Sequence, residues 1–385
     1  MEPDGAGSVT LRALVLYFLR LGTFGFGGPI ALVGYMQRDL VEERRWFSAK
    51  EYGEGLALAQ LAPGPLAAQL AIYLGWARGG TRGATAVALA FIAPSFLMVL
   101  ALSALYLRFG GLEWMQGVFY GVGAAVVAMI ARSAYKLARL TLRGDWLLGA
   151  LFAVSAVVTA VTESEIVWLF ISAGVISLVA KMGPSGLGRA SGALALAPWL
   201  VTGLHGPAPQ HLWTILWYFA EAGAFVFGSG LAIVPFLHGG VVGHYGWLTE
   251  RQFLDAVAVA MITPGPVVIT VAFIGYLVSG PAGAGVAALG VFLPCYLLVV
   301  IPARYFRRSI SDPRVKAFVE GVTAAAAGAI AGAAFVLGRR GVIDLPTLGL
   351  ALATLAAVTW LPRVPEPLWI VAAGGIGLAL QGVTR

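Results

Sequence analysis

Cysteine is nearly absent from this chain of 385 residues: Cys295 stands alone, so no internal disulfide staples the fold. Charge is scarce as well. Asp, Glu, Lys and Arg make up 11% of the residues, against roughly 25% in soluble domains. So little polar material cannot coat a water-soluble globule, and it excludes a disordered segment or a DNA-binding domain. Enzymatic signatures are missing too: there is no Walker A sequence, no His-Glu-x-x-His and no Gly-x-Ser-x-Gly. The four histidines, His205, His211, His238 and His244, include no His-x-x-x-His pair and no carboxylate at zinc-site spacing. They read as surface or loop histidines. No catalytic residue, metal site or cofactor is expected, and Met1 to Thr10 is too polar to begin a cleavable signal peptide.

What fills the chain instead is apolar. Hydrophobic residues reach 59%, with 51 Gly and 20 Pro, and the mean hydropathy is +0.87. Apolar runs of about 20 residues suit a bilayer crossing, so the expected class is an all-α integral membrane protein. The formal charge of +7 is small for this length. It reads as basic loops beside anionic lipid, with the bilayer as partner and no nucleic acid.

The sequence contains itself twice. A shift of 201 residues lays Tyr17-Phe18 on Tyr218-Phe219, Phe26-Gly27 on Phe227-Gly228, and Trp46 on Trp247. It also lays Pro63-Gly64-Pro65 on Pro264-Gly265-Pro266. One residue is then lost, and a shift of 200 carries Gly75 to Gly275, Pro94 to Pro294, Gly121 to Gly321 and Gly174 to Gly374. Such a register implies duplication: one repeat over 1–181, a Gly/Pro-rich linker over 182–211, and a second repeat over 212–385. Apolar elements are expected near 11–27, 51–77, 84–107, 115–138, 146–162 and 166–181, and again near 212–228, 252–278, 284–303, 317–338, 343–361 and 367–382.

Equivalent loops differ in basic charge. After the second element Arg78 and Arg82 face an uncharged Ser279-Gly280-Pro281; after the third, Arg108 alone faces Arg304, Arg307, Arg308, Arg314 and Lys316. Because cytoplasmic loops collect Lys and Arg, this reversal predicts two repeats of inverted topology. Inversion needs an odd number of crossings between equivalent points. Either the short apolar stretch 190–204, interrupted by Pro198, crosses as well and gives 13 spans, or one element per repeat only dips into the membrane.

Inverted repeats are a recurrent transporter design, with the substrate held where broken helices meet. Two breaks recur. Phe24-Gly25-Phe26-Gly27-Gly28-Pro29 is answered by Phe225-Val226-Phe227-Gly228-Ser229-Gly230, and the two Pro-Gly-Pro sites answer each other. Proline lacks an N–H and disfavours helix in the residue before it. Pro-Gly-Pro therefore ends one helix and starts another, whose first amides favour an anion. The expected anion site comprises Gly27, Gly28, Pro29, Gln60, Pro63, Gly64, Pro65 and Gln69 with Gly228, Ser229, Gly230, Thr263, Pro264, Gly265, Pro266 and Thr270. Gln69 and Thr270 can each donate from about one turn inside the new helices, while Gln60 is answered by Met261. Arg20 and Glu221 are repeat mates of opposite sign, suited to a fixed positive charge and to a proton carrier, or else to each other. Arg132, Lys136 and Glu320 are further charges within apolar elements. The stretch 38–51, with four acidic and four basic residues, reads as a solvated connector with Trp46 and Trp247 as interface anchors. The small-residue run Ala324, Gly328, Gly332 reads as close helix packing.

These residues resemble the chromate ion transporter family in its long-chain, two-domain form. The resemblance lies in 24–35, Arg44-Arg45-Trp46-Phe47-Ser48, Glu51-Tyr52, 60–69, Pro94-Ser95, 225–230 and 249–266. It covers nearly the whole chain. It implies an inner-membrane exporter of chromate, competing with sulfate and drawing on the proton-motive force. The residues themselves leave open a transporter or channel for another anion, such as sulfate or a carboxylated metabolite, a subunit of a larger membrane complex, and a homodimer. The second half departs from the pattern with Gly228-Ser229-Gly230 in place of Gly-Gly-Pro and Met261 in place of Gln60.

Overall fold

The computed structural model describes residues 9–26, 28–109, 113–142, 144–162, 167–182, 212–225, 233–306, 313–342, 344–361, 364 and 366–383. Every regular element among them is helical. The first repeat forms α1 (Leu11–Phe24), α2 (Gly28–Gln37), α3 (Ala49–Leu61), α4 (Leu66–Phe109), α5 (Glu113–Leu142), α6 (Trp146–Thr162) and α7 (Val167–Met182). The second forms α8 (Leu212–Phe225), α9 (Ile233–Leu237), α10 (Glu250–Ile262), α11 (Thr270–Phe306), α12 (Pro313–Gly341), α13 (Leu345–Trp360) and α14 (Glu366–Val383). Each element of the first repeat thus has its mate seven places on. Short π-helical turns, Arg38–Glu43 and His238–His244, extend α2 and α9.

Helix starts follow local chemistry. Thr10 caps α1 by accepting from the Ala13 amide. Ser48 with Glu51 and Thr249 with Gln252 form reciprocal capping boxes at the equivalent helices α3 and α10. Four helical stretches are long and apolar enough to cross a membrane: Leu66–Phe109, Gly117–Lys136, Val267–Ala303 and Lys316–Arg339. Shorter apolar helices accompany them, α6 and α13 among these.

The elements near 51–77 and 252–278 are not rods. α3 stops at Leu61 and α4 starts at Leu66, with a chain reversal between. The arms lie side by side, since a Cβ on Gly55 of α3 would fall 2.3 Å from the Tyr73 ring of α4. At their open end Arg78 pairs with Glu51 at 3.1 Å and its guanidinium also donates to the Trp46 carbonyl. Each arm has 13 residues, about 20 Å of helix, short of the ~30 Å hydrocarbon core. α4 then doubles back at Gly79 and Gly80 (φ +56°), which brings Gly75 against Gly83. α11 repeats the bend at Ser279 and Gly280 (φ +63°). The sequence reading placed these bends in loops between separate elements.

The first break makes a second hairpin in each repeat. Tyr17 of α1 donates to Asp39, beyond the break, at 3.1 Å. Tyr218 of α8 donates to the Phe236 carbonyl of α9 at 2.9 Å. Leu14, Tyr17, Phe18 and Leu21 form the apolar stripe that seats α1 on α4.

The repeats interlock. α5 packs on α13 and α14 of the other repeat, and α12 packs on α6 and α7. Reciprocal glycines allow this approach: a Cβ on Gly121 would meet the Ala373 carbonyl oxygen at 1.9 Å, and one on Gly321 the Ala173 carbonyl oxygen at 2.3 Å. Gly328 and Gly332 sit against the Phe152 and Ala156 carbonyls of α6, the packing expected of that small-residue run. α5 and α12 contact each other, the start of each beside the residues that follow the other. Tyr120 near the start of α5 donates to Asp344 just past α12. Near the start of α12, Glu320 shares Lys181 with Asp145 past the end of α5, at 2.8 and 2.9 Å. Glu320, a candidate intramembrane charge in sequence, is thus tied into an ion cluster at helix ends.

One further expectation changes. His238 is buried rather than at the surface, because its π turn points it at Glu250 (2.7 Å) and onto the edge of Phe253. His244 is exposed as expected, while His205 and His211 lie outside the described residues.

Candidate functional site

The hairpin tips converge on two helix midpoints. Ser95 lies at the centre of the 81–109 stretch of α4, fully buried, and its hydroxyl donates to the Pro264 carbonyl at 2.7 Å. The Gly22 carbonyl, near the end of α1, lies 3.4 Å from the same oxygen. The Gly265 amide donates to the Gly25 carbonyl at 2.9 Å. A first tip of one repeat therefore touches a second tip of the other. Cys295, equivalent to Ser95, donates instead to the Val291 carbonyl of its own helix at 3.0 Å and, as Ser95 does with Gly22, lies 3.5 Å from the Gly223 carbonyl oxygen. A Cβ on Gly64 would come within 2.8 Å of its sulfur. Each Pro-Gly-Pro tip is seated on the other repeat.

Glycine is required there twice over. Gly64 has φ +135° and Gly265 φ +97°, a region that side-chain-bearing residues avoid. Space is short as well, a Cβ on Gly265 falling 2.0 Å from the Ser95 hydroxyl. Gly64, Pro65, Pro264, Gly265 and Pro266 are buried, and Pro63 is half-buried. Beyond Pro65 the first helical bond runs from the Gln69 amide to the Pro65 carbonyl at 3.0 Å. The amides of Leu66, Ala67 and Ala68 thus precede any intrahelical acceptor. The second site is tighter: Val267–Ile269 is a 3₁₀ turn, closed from the Ile269 amide to the Pro266 carbonyl at 3.0 Å.

The polar residues named from sequence are placed unequally. Gln69 is fully buried and donates its amide to the Ala62 and Pro63 carbonyls, while its Oε1 is buried without a hydrogen-bond partner. Thr270 donates to the Val267 carbonyl at 2.8 Å and Thr263 to the Val259 carbonyl at 2.6 Å. All three donors are therefore spent on the break itself in this state. Gln60 is exposed on α3, whereas its mate Met261 is buried. Gly28 and Pro29 open α2; Gly27, Gly228, Ser229 and Gly230 lie outside the described residues. Arg20 is exposed on α1, and half-buried Glu221 accepts from Trp217 of its own helix at 2.9 Å.

The chromate transporter family model matches residues 12–178 and again 213–378. The chain belongs to the chromate transporter family. It is 56% identical to a chromate transport protein of Cupriavidus metallidurans, over 98% of this chain and 96% of that one. Identity is also 56% to a probable chromate transport protein of Synechococcus elongatus, over 96% and 95% of the two chains. A chromate transport protein of Pseudomonas aeruginosa is 32% identical over 94% and 90%. No solved structure matches. Together with its apolar helices, membership makes this a multi-pass membrane protein of a transport family.

Sequence reasoning on this chromate transporter family member missed Ser95 and Cys295 as tip seats, although Pro94 and Pro294 mark both positions. It also missed Asp255, buried in α10, to which Tyr106 of α4 donates at 2.8 Å. The signal was present. A shift of 201 lays Glu54 on Asp255, an acid in each repeat ten residues before the Pro-Gly-Pro glycine.

Proposed function

We propose that the protein is a secondary transporter that exports chromate, a divalent tetrahedral oxyanion, from the cytoplasm across the inner membrane, driven by the proton-motive force. The observation that carries the site is the Gly265 amide bonded to the Gly25 carbonyl beside Ser95: broken ends from both repeats meet halfway along the long helices. On this reading the repeats are inverted, which the mutual arrangement of α5 and α12 supports. The hairpins dip into the bilayer and return, so the four arms bring helix ends to its midplane.

The anion is held by backbone. The open amides of Leu66 to Ala68 and the first amides after Pro266 present partial positive charge without a buried lysine. Gln69 contributes once its amide leaves the Ala62 and Pro63 carbonyls, and Thr270 by rotating its hydroxyl. Exposed Arg20, just ahead of the first tip, adds a fixed positive charge on the approach. Gly28 and Pro29 open the helix after the first tip; Gly27, Gly228, Ser229 and Gly230, outside the described residues, are assigned to the same site by their place in the sequence.

Chromate and sulfate have similar charge and shape, so a site made of amide dipoles separates them poorly. Chromate uptake into energised everted vesicles should saturate, collapse with an uncoupler and fall in excess sulfate. Flux indifferent to sulfate would contradict this site. The absence of saturable flux from the purified chain would instead favour a partner-dependent channel.

A further inference from the structure

Equivalent arms of the two repeats are packed differently. On α10, Phe253 and all of 255–261 are buried, enclosed by α5, α14 and α11. On α3, Gly53 and Gln60 are exposed and Glu54, Leu56 and Ala57 are half-buried. One sequence unit therefore sits in a closed setting and its copy in an open one within the same molecule. At the repeat-equivalent position each arm carries an acid: Asp255 is 3% exposed, Glu54 half-buried. An ionisable side chain enclosed at membrane depth carries a heavy desolvation penalty and marks function more often than packing.

The surroundings of Asp255 link the halves. Tyr106 belongs to the first repeat and donates its hydroxyl to the carboxylate at 2.8 Å, with its ring against Phe119 and Phe273. Phe273 lies on the second arm of the same hairpin. Arg251, one turn earlier on α10, is the other group acting on the carboxylate; no titratable side chain of α5, α11, α14 or the π turn does so among the described residues. Glu221, the acid marked in the sequence, bonds within its own helix. Asp255 reaches across the repeats.

We propose that Asp255 is the proton-binding residue of the transport cycle, with Glu54 as its counterpart in the alternate state. This deepens the proton-driven reading above and rests on it. When α10 is opened as α3 now is, the carboxylate takes one proton from the aqueous side it then faces. When the hairpin closes and Tyr106 donates to the carboxylate, that O–H bond breaks and the proton passes by way of Glu54 on the mate, now open, to the opposite side, so one proton crosses per cycle and nothing is consumed. Tyr106, holding the carboxylate in the closed setting, couples its protonation to the seating of the α10 hairpin on the first repeat.

The test uses the full-length protein in proteoliposomes with labelled chromate, measuring two processes side by side. Chromate–chromate exchange needs the anion path alone; accumulation driven by a pH gradient needs the proton as well. Asp255→Asn is expected to lose accumulation while keeping exchange, and Asp255→Glu to recover part of the accumulation. Asn protein that accumulates like wild type overturns the assignment, as does monodisperse Asn protein that has lost exchange too. Should Asp255→Asn not yield monodisperse protein, Tyr106→Phe decides: a displaced pH profile of accumulation is expected, and an unmoved profile overturns the proposal. Wild-type protein that exchanges chromate but ignores the pH gradient overturns the proton-driven reading, and this role with it.

Discussion

Ser95 joins the repeats through one hydroxyl, and its removal separates packing from bonding. Ser95→Ala leaves volume almost unchanged but deprives the Pro264 carbonyl of its donor, which is expected to lower stability by about 1 kcal/mol. Thermal unfolding in detergent measures this; an unchanged midpoint would mean that the bond contributes nothing. Cys295 bears on the equivalent tip. A Cβ at position 64 would lie 2.8 Å from its sulfur at φ +135°, so Gly64→Cys is expected to unseat that tip and abolish chromate flux whether or not a reductant is present; flux like wild type would contradict the seating. Such residue contacts were hidden in the sequence. Ser95 and Pro264 are 169 positions apart, and local periodicity carries no record of what a helix midpoint touches. A separation of 149 positions likewise hid Asp255 from Tyr106, and a buried setting for His238 could not be read from spacing alone.

Elements were more legible than contacts. Proline chemistry marks both Pro-Gly-Pro breaks, and Ser48 and Thr249 mark the helix starts before them. The reversals at Gly80 and Gly280 were less visible, since both flanks are apolar and helical and only φ reveals the turn. Element ends also set the response to acid. Lys181, bonded to Asp145, holds that carboxyl below the usual carboxylate range, and the Tyr120 hydroxyl does the same for Asp344. A carboxyl depressed in the folded state adds stability above its unfolded value of about 4 and loses it as pH falls through the folded value. The unfolding midpoint in detergent should therefore drop as pH falls below about 4, and Asp145→Asn with Asp344→Asn should flatten that limb. An acid limb identical to wild type would contradict the assignment to these two groups.

At the scale of the molecule, duplication was legible because glycines, prolines and aromatics keep their spacing over some 200 residues. The interlocking of α5 with α13 and α14, and of α12 with α6 and α7, was not, since the repeat register says which elements correspond and not which ones touch. Nor did it reveal that α3 is open where α10 is enclosed. On the proposed function, that unequal packing of like parts is what an alternating carrier requires, and the Pro-Gly-Pro tips are where the anion would pass from one side to the other. Chromate uptake into proteoliposomes by wild-type protein and by Gly265→Leu, compared at equal folded amounts, tests this most directly. A leucine at φ +97° and 2.0 Å from the Ser95 hydroxyl cannot keep the tip seated. The expected result is saturable flux from wild type and none from the variant; equal flux from both would contradict passage through the tips.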